Sequence, residues 1–251
     1  MKNVILLMSI LLTSSFLMSQ ELSPYFKFAD SDKEITALSG EVKQILTKAG
    51  FNIIGEYAPG KSDSLYVICF TSQELKDLSL EFDDRGALAS VLKVGLVRTA
   101  GKTTISMLNP EYMFLSYWGK QLDGQENKLM SVSEKAKAAL TNFGEPVAFG
   151  GSVKKKNLPG YHYMMMMPYF DDPDELNEFD SFEQGMATIT KNFKAGKGNT
   201  VLVYKQVFKG KEIAVFGVGL MNEEDGEPAF LPVIGAEHIA NMPYEIILQG
   251  K

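Results

Sequence analysis

The chain has 251 residues, 45% of them hydrophobic and 22% charged, with a formal net charge of −6. That balance excludes disordered, collagen-like and coiled-coil chains, and the length suits one large domain or two small ones. The surplus of acid argues against sequence-independent nucleic-acid binding, which sets Lys and Arg against phosphates, and the one cysteine, Cys69, excludes an internal disulfide framework and a cysteine-cluster metal site.

Lys2, then the apolar stretch Val4–Leu12, then a zone richer in small polar residues ending at Gln20-Glu21 read as a secretory signal over residues 1–19. The apolar stretch is too short for a bilayer core of about 30 Å, which takes about 20 apolar residues as a helix. The alternative is an uncleaved anchor running to Met18. Cleavage before Gln20 removes Lys2 and no acid, so the formal charge moves from −6 to −7. No later run is apolar for long enough to span a membrane, which predicts a soluble protein, periplasmic or secreted.

In the mature chain, Ile35, Leu38, Val42, Ile45, Leu46 and Ala49 recur at helical spacing, predicting a helix over 34–49 closed by Gly50. Strands are expected at 51–57 and 65–71 around a Pro-Gly loop. Cys69 lies in the second, an apolar run with no basic neighbour, and is expected to be buried and inert. Ser72 is the expected cap of a helix carrying Leu75, Leu78 and Leu80, which breaks near 83–86 and resumes through Leu92. Segments 95–100 and 103–108 flank Gly101-Lys102 as a hairpin. Residues 123–130 are polar and turn-rich and suit a linker.

A second unit follows. Ser131 and Glu134 form a capping-box pattern ahead of a helix over 132–143. Strands are expected at 145–150 and 161–169, a basic loop with Lys154, Lys155 and Lys156 between them, a helix at 182–193, and a hairpin of 199–208 with 212–220. The order helix, strand, strand, helix, strand, strand thus occurs twice. The expectation is an α+β protein of two related halves, residues 20–122 and 131–251, each a small mixed sheet with two packed helices.

A helix closed by Gly50-Phe51, two strands, a second helix, then Gly95-Leu96 leading into a hairpin that ends at Asn109-Pro110 resembles the domain-of-unknown-function 302 family. The resemblance covers about residues 30–122, with a fainter echo in 130–245, and implies a small α+β fold with a mixed sheet. Family members often carry a proline soon after the Gly-Leu stretch, where this chain has Arg98. A fold implies no chemistry by itself.

Tyr161-His162-Tyr163-Met164-Met165-Met166-Met167 is the most unusual stretch. On a strand, His162, Met164 and Met166 share one face, and imidazole with thioethers suits Cu(I). The alternative is a methionine-filled core strand. The segment from Gly95 to Thr103 ends in Gly-Lys-Thr but has five residues between its glycines and no following helix, so it is a hairpin turn and not a phosphate loop. The acids from Asp171 to Asp180 lack the alternating ligands and central glycine of a calcium loop and read as a solvated helix start. No nucleophile elbow or zinc-protease helix occurs, and His238 beside Glu237 carries no triad.

Aromatic-rich segments close both halves. If the halves face each other, Tyr112, Phe114, Tyr117 and Trp118 with Phe230 and Tyr244 line an apolar cleft between them; the alternative is that they seal two separate cores. The function expected is thus a non-catalytic, exported binding module for a small apolar ligand or an envelope protein, without a cofactor. Copper handling at His162, Met164 and Met166 and an unrecognised hydrolase acting through His238 are the alternatives.

Overall fold

The computed structural model describes residues 20–83, 85–122, 124–162, 169–170, 172 and 174–250. The strands are β1 (Glu21–Leu22), β2 (Tyr25–Lys27), β3 (Asn52–Tyr57), β4 (Leu65–Thr71), β5 (Leu92–Thr99), β6 (Lys102–Leu108), β7 (Val147–Phe149), β8 (Val153–Lys154), β9 (Thr200–Phe208), β10 (Ile213–Leu220) and β11 (Tyr244–Gln249). The helices are α1 (Ile35–Lys48), α2 (Gln73–Ser79), α3 (Pro110–Trp118), α4 (Glu126–Leu140), α5 (Phe182–Lys194) and α6 (Glu227–Ile234). The fold is α+β. A six-stranded sheet runs β3-β4-β5-β6-β2-β7, a three-stranded sheet runs β11-β10-β9, and β1 pairs with β8.

Local chemistry sets the ends of these elements. Gly50, at φ 86°, follows α1, and the Gly50 and Phe51 amides donate back to the carbonyls of Thr47 and Leu46. This is the Schellman closure that a glycine at C′ permits. Ser72 caps α2 by accepting from the Leu75 amide at 3.0 Å, and Asn109 caps α3 ahead of Pro110. Ala100 and Gly101 both have positive φ, as the tight turn between β5 and β6 demands.

Alternation along the strands builds four layers. Ile68 and Phe70 of β4, Leu92, Val94 and Leu96 of β5, and Ile105 and Met107 of β6 pack with α1, α3 and α4 in one core. Val67 and Cys69 point the other way and join Tyr204, Phe208 and Val215 of the second sheet. Ala214, Phe216 and Val218 of β10 face outward against Phe182, Met186 and Ile189 of α5. β4 is buried on both faces, which is why it reads as a continuous apolar run.

The sequence expectation differs from this in five places. The helix expected to resume through Leu92 ends at Ser79; only a 3₁₀ turn follows at Gly86–Ala89, and Leu92 opens β5. Every observed pairing is antiparallel, so neither sheet is mixed. The halves also trade strands: β7 completes the first sheet on β2, and β8 pairs with β1. Residues 126–130, expected in the linker, are the first turn of α4, which starts after Gln125, so Ser131 lies inside the helix and caps nothing. The C-terminal region, which lies beyond the twice-repeated order of elements, holds α6, a 3₁₀ turn at Ala236–Asn241 and β11. The strand expected at 161–169 falls mostly outside the described residues.

Candidate functional site

The space between the two sheets holds a buried charged cluster. Register places Cys69 of β4 opposite Lys93 of β5, and on the second sheet it places Tyr204, Gly217 and Glu245 in one row across β9, β10 and β11. Glycine is required at 217, since a Cβ there would lie 2.2 Å from the Tyr204 ring. The ring therefore lies across β10 and its hydroxyl donates to Glu245 Oε1 at 2.5 Å. Lys93 Nζ reaches the same oxygen from the first sheet at 3.0 Å, with the two side chains only 3% and 11% exposed. Burial holds the Tyr204 hydroxyl protonated, with the Glu245 charge adding to the effect. Burial likewise pushes the Cys69 thiol far up, outweighing the opposing pull of Lys93, with the Glu245 charge adding a smaller upward push. A protonated, enclosed thiol is a poor nucleophile.

A second carboxylate ties the halves together. Glu227, wholly buried at the start of α6, accepts from the Tyr57 hydroxyl at 2.9 Å, the Gly60 amide at 2.8 Å and the Leu220 amide at 3.2 Å. Burial still raises its pKa above the ordinary carboxyl value, with these three bonds pulling the other way.

Glu245 also lines a groove of about 740 Å³ that follows β11. One wall is the segment from Asp174 to Phe182, without regular structure up to Phe179, and the floor carries Ile189 of α5 with Ile246 and Leu248 of β11. Asp174, Glu175 and Glu178 stand on the rim. Arg85 and Leu88 close the far side, where Arg85 meets Asp172 at 3.3 Å. The volume lies within the range of small-ligand sites, about 300–1,000 Å³.

None of the six aromatics expected to line a cleft borders this groove, and they do not converge. Residues 110–118 form a helix, so positions 112 to 118 fan around its axis. Phe114 and Trp118, four apart, both face the core, where Trp118 stacks between Phe114 at 4.9 Å and Phe82 at 4.4 Å. Tyr112 packs with Leu22 and Leu158 in a small separate cluster, and Tyr117 meets Phe170 edge-on. Phe230 and Tyr244 meet each other at 5.9 Å near the inter-sheet core.

His162 lies 4.9 Å from the Tyr169 ring, while Met164 and Met166 fall outside the described residues. Among the described residues no three His, Cys, Asp or Glu side chains gather as a metal site. His238 Nδ1 donates to the Ile234 carbonyl at 2.7 Å, and its ring packs against the stacked rings of Tyr25 and Phe149. The groove was legible only as the acidic run 171–180, because the Ile-Ile-Leu run of β11 is short and lacks the apolar-polar alternation that marks a strand.

No family model matches the chain, and no curated protein matches it. Among solved structures, the crystal structure of uncharacterized conserved protein DUF302 from Bacillus stearothermophilus is similar to 48% of this chain across 98% of its own, at 12% identity and a TM-score of 0.41. The chain thus bears a weak DUF302-like likeness over a segment. Among the described residues no helix is long and apolar enough to cross a membrane.

Proposed function

We propose that the chain is an exported, non-catalytic binding module and that the groove along β11 is its site. The observation that carries this is the groove itself: an apolar lining of Phe179, Phe182, Ile189 and Leu248 beneath an acidic rim, open to solvent. A pocket of that kind takes an apolar ligand or an apolar segment of a partner. The nearby reactive groups support binding over catalysis, because Cys69 is protonated and enclosed and Lys93 is committed to Glu245. The basic and apolar N-terminal pattern supports export.

The test uses residues 20–251 with the neutral dye Nile red. Ile189→Lys should weaken dye binding at least tenfold, and Leu176→Lys, at a position 72% exposed, should weaken it while leaving the unfolding midpoint unchanged. Dye binding unaltered in both variants overturns the groove as the site. Protein from the native envelope should begin at Gln20 by mass.

A further inference from the structure

We propose that the groove's occupant is an extended polypeptide segment of a partner protein, alternating apolar and basic residues, that adds as a further strand to β11. This rests on the groove being the binding site. Four sheet edges exist in the two larger sheets, and three carry a device that blocks strand addition. β7 is three residues long. β3 has a register break between Ile53 and Gly55, and β9 packs closely over its face there, where a Cβ on Gly55 would lie 2.5 Å from the Val203 carbonyl oxygen. β9 has its own break opposite Gly217/Val218 and carries Lys205.

β11 has none of these. Tyr-Glu-Ile-Ile-Leu-Gln contains no lysine, proline or bulge, and its register on β10 is unbroken over six pairs. Its one charge, Glu245, is turned to Lys93. Among the described residues the backbone of Tyr244–Leu248 bonds to β10 alone. An antiparallel neighbour leaves alternate N–H and C=O groups of an edge strand pointing away from the sheet. The groove follows that edge, lined by every residue from Glu245 to Gly250.

Side chains of an added strand alternate between two faces. One face would meet Phe179, Phe182, Ile189 and Leu248, which asks for apolar residues. The rim holds Asp174, Glu175 and Glu178 against Arg85, itself paired with Asp172, which asks for lysine or arginine. The same acids oppose pairing of β11 with β11 of a second copy. Strand addition of this kind draws affinity from main-chain bonds and specificity from alternate side-chain pockets.

The experiment titrates ¹⁵N-labelled residues 20–251 with acetyl-Lys-Val-Lys-Val-Lys-Val-amide at low salt. Parallel titrations use the same peptide N-methylated at alternate backbone nitrogens, the Glu-Val counterpart, and Nile red. Support is binding that protects alternate β11 amides, weakened at least tenfold by N-methylation, by Glu for Lys, and by Asp174→Lys with Glu178→Lys. Equal affinity of the N-methylated peptide overturns strand addition, and equal affinity of the Glu peptide overturns the basic partner. Protection of β11 amides that rises with protein concentration alone also overturns it, in favour of a second copy. Nile red held in the groove without any peptide binding overturns the occupant and leaves the site standing; neither probe binding there overturns both.

Discussion

The two faces of the six-stranded sheet are built from opposite materials. Toward α1, α3 and α4 the sheet presents Ile68, Phe70, Leu92, Val94, Leu96, Ile105 and Met107, an apolar surface packed by Phe114 and Trp118. Toward the second sheet the same strands present Cys69, Lys93, Gly95 and Ser106 among fewer apolar side chains. The apolar face contributes bulk burial, about 25 cal/mol per Å² and indifferent to direction. The polar face contributes bonds with fixed partners, and they join early segments of the chain to late ones: Lys93 to Glu245, Tyr57 and Gly60 to Glu227, and Ser90 to Gln206. The difference teaches that one face holds the sheet together while the other fixes where the second sheet sits, and with it the groove along β11.

The largest expected effect breaks that contrast at its centre. Glu245→Leu leaves Lys93 buried without a counter-charge and should cost about 3–5 kcal/mol, as should Lys93→Met for the converse reason. The double variant removes both charges but strands the buried Tyr204 hydroxyl, so it should recover most of the loss and stay about 1–3 kcal/mol below the parent. Urea unfolding of the four proteins as a double-mutant cycle measures this. Simple additivity of the two losses would mean that the pair is not the device that joins the sheets.

Why one face was readable and the other not follows from the range of the interactions. Helical spacing in 35–49 and the continuous apolar run of 65–71 are local, and α1 and β4 formed where those patterns lie. The Gly101 turn and the Ser72 cap are equally local and equally legible. By contrast, Tyr112 to Trp118 gave no period-two or amphipathic signal, because α3 is buried on most of its circumference. The Lys93–Glu245 pair joins residues 152 positions apart through two registers and a missing side chain at Gly217, and nothing near either residue announces the other. The acidic run 171–180 was visible, but its role on a groove rim depends on β11, which is contributed by the far end of the chain.

A smaller effect sharpens the comparison at the corner where the sheets touch. Gly55 sits beside the Val203 carbonyl, so Gly55→Val must push β3 and β9 apart and should cost about 1–3 kcal/mol. Gly40, on the exposed face of α1 with nothing near a prospective Cβ, is the control: Gly40→Ala should gain about 0.5–1 kcal/mol through helix propensity. Thermal or urea unfolding of both variants reads the two signs. Equal and small effects at both positions would mean that the corner tolerates separation and that the polar bonds alone set the distance between the sheets.

The smallest expected effect is a slope. Glu227 is enclosed between Tyr57, Gly60 and Leu220, and burial holds its pKa above the ordinary 4.5 despite three donors. A carboxyl group with a raised folded-state pKa binds its proton more tightly in the folded than in the unfolded chain. Its stabilising contribution is therefore complete below the unfolded pKa and is lost as pH rises through the folded value. Measured against Glu227→Gln, which cannot ionise, the parent protein should lose relative stability as pH climbs above about 4.5, by no more than about 1.4 kcal/mol per pH unit for one group. Urea unfolding of both proteins at half-unit steps from pH 4 to 7 measures the difference curve. A flat curve would mean that the three donors offset desolvation in full, and a curve rising with pH would make Glu227 a favourable anion. Either result would set it apart from the Lys93–Glu245 pair, where an opposite charge and not hydrogen bonding alone meets the buried carboxylate.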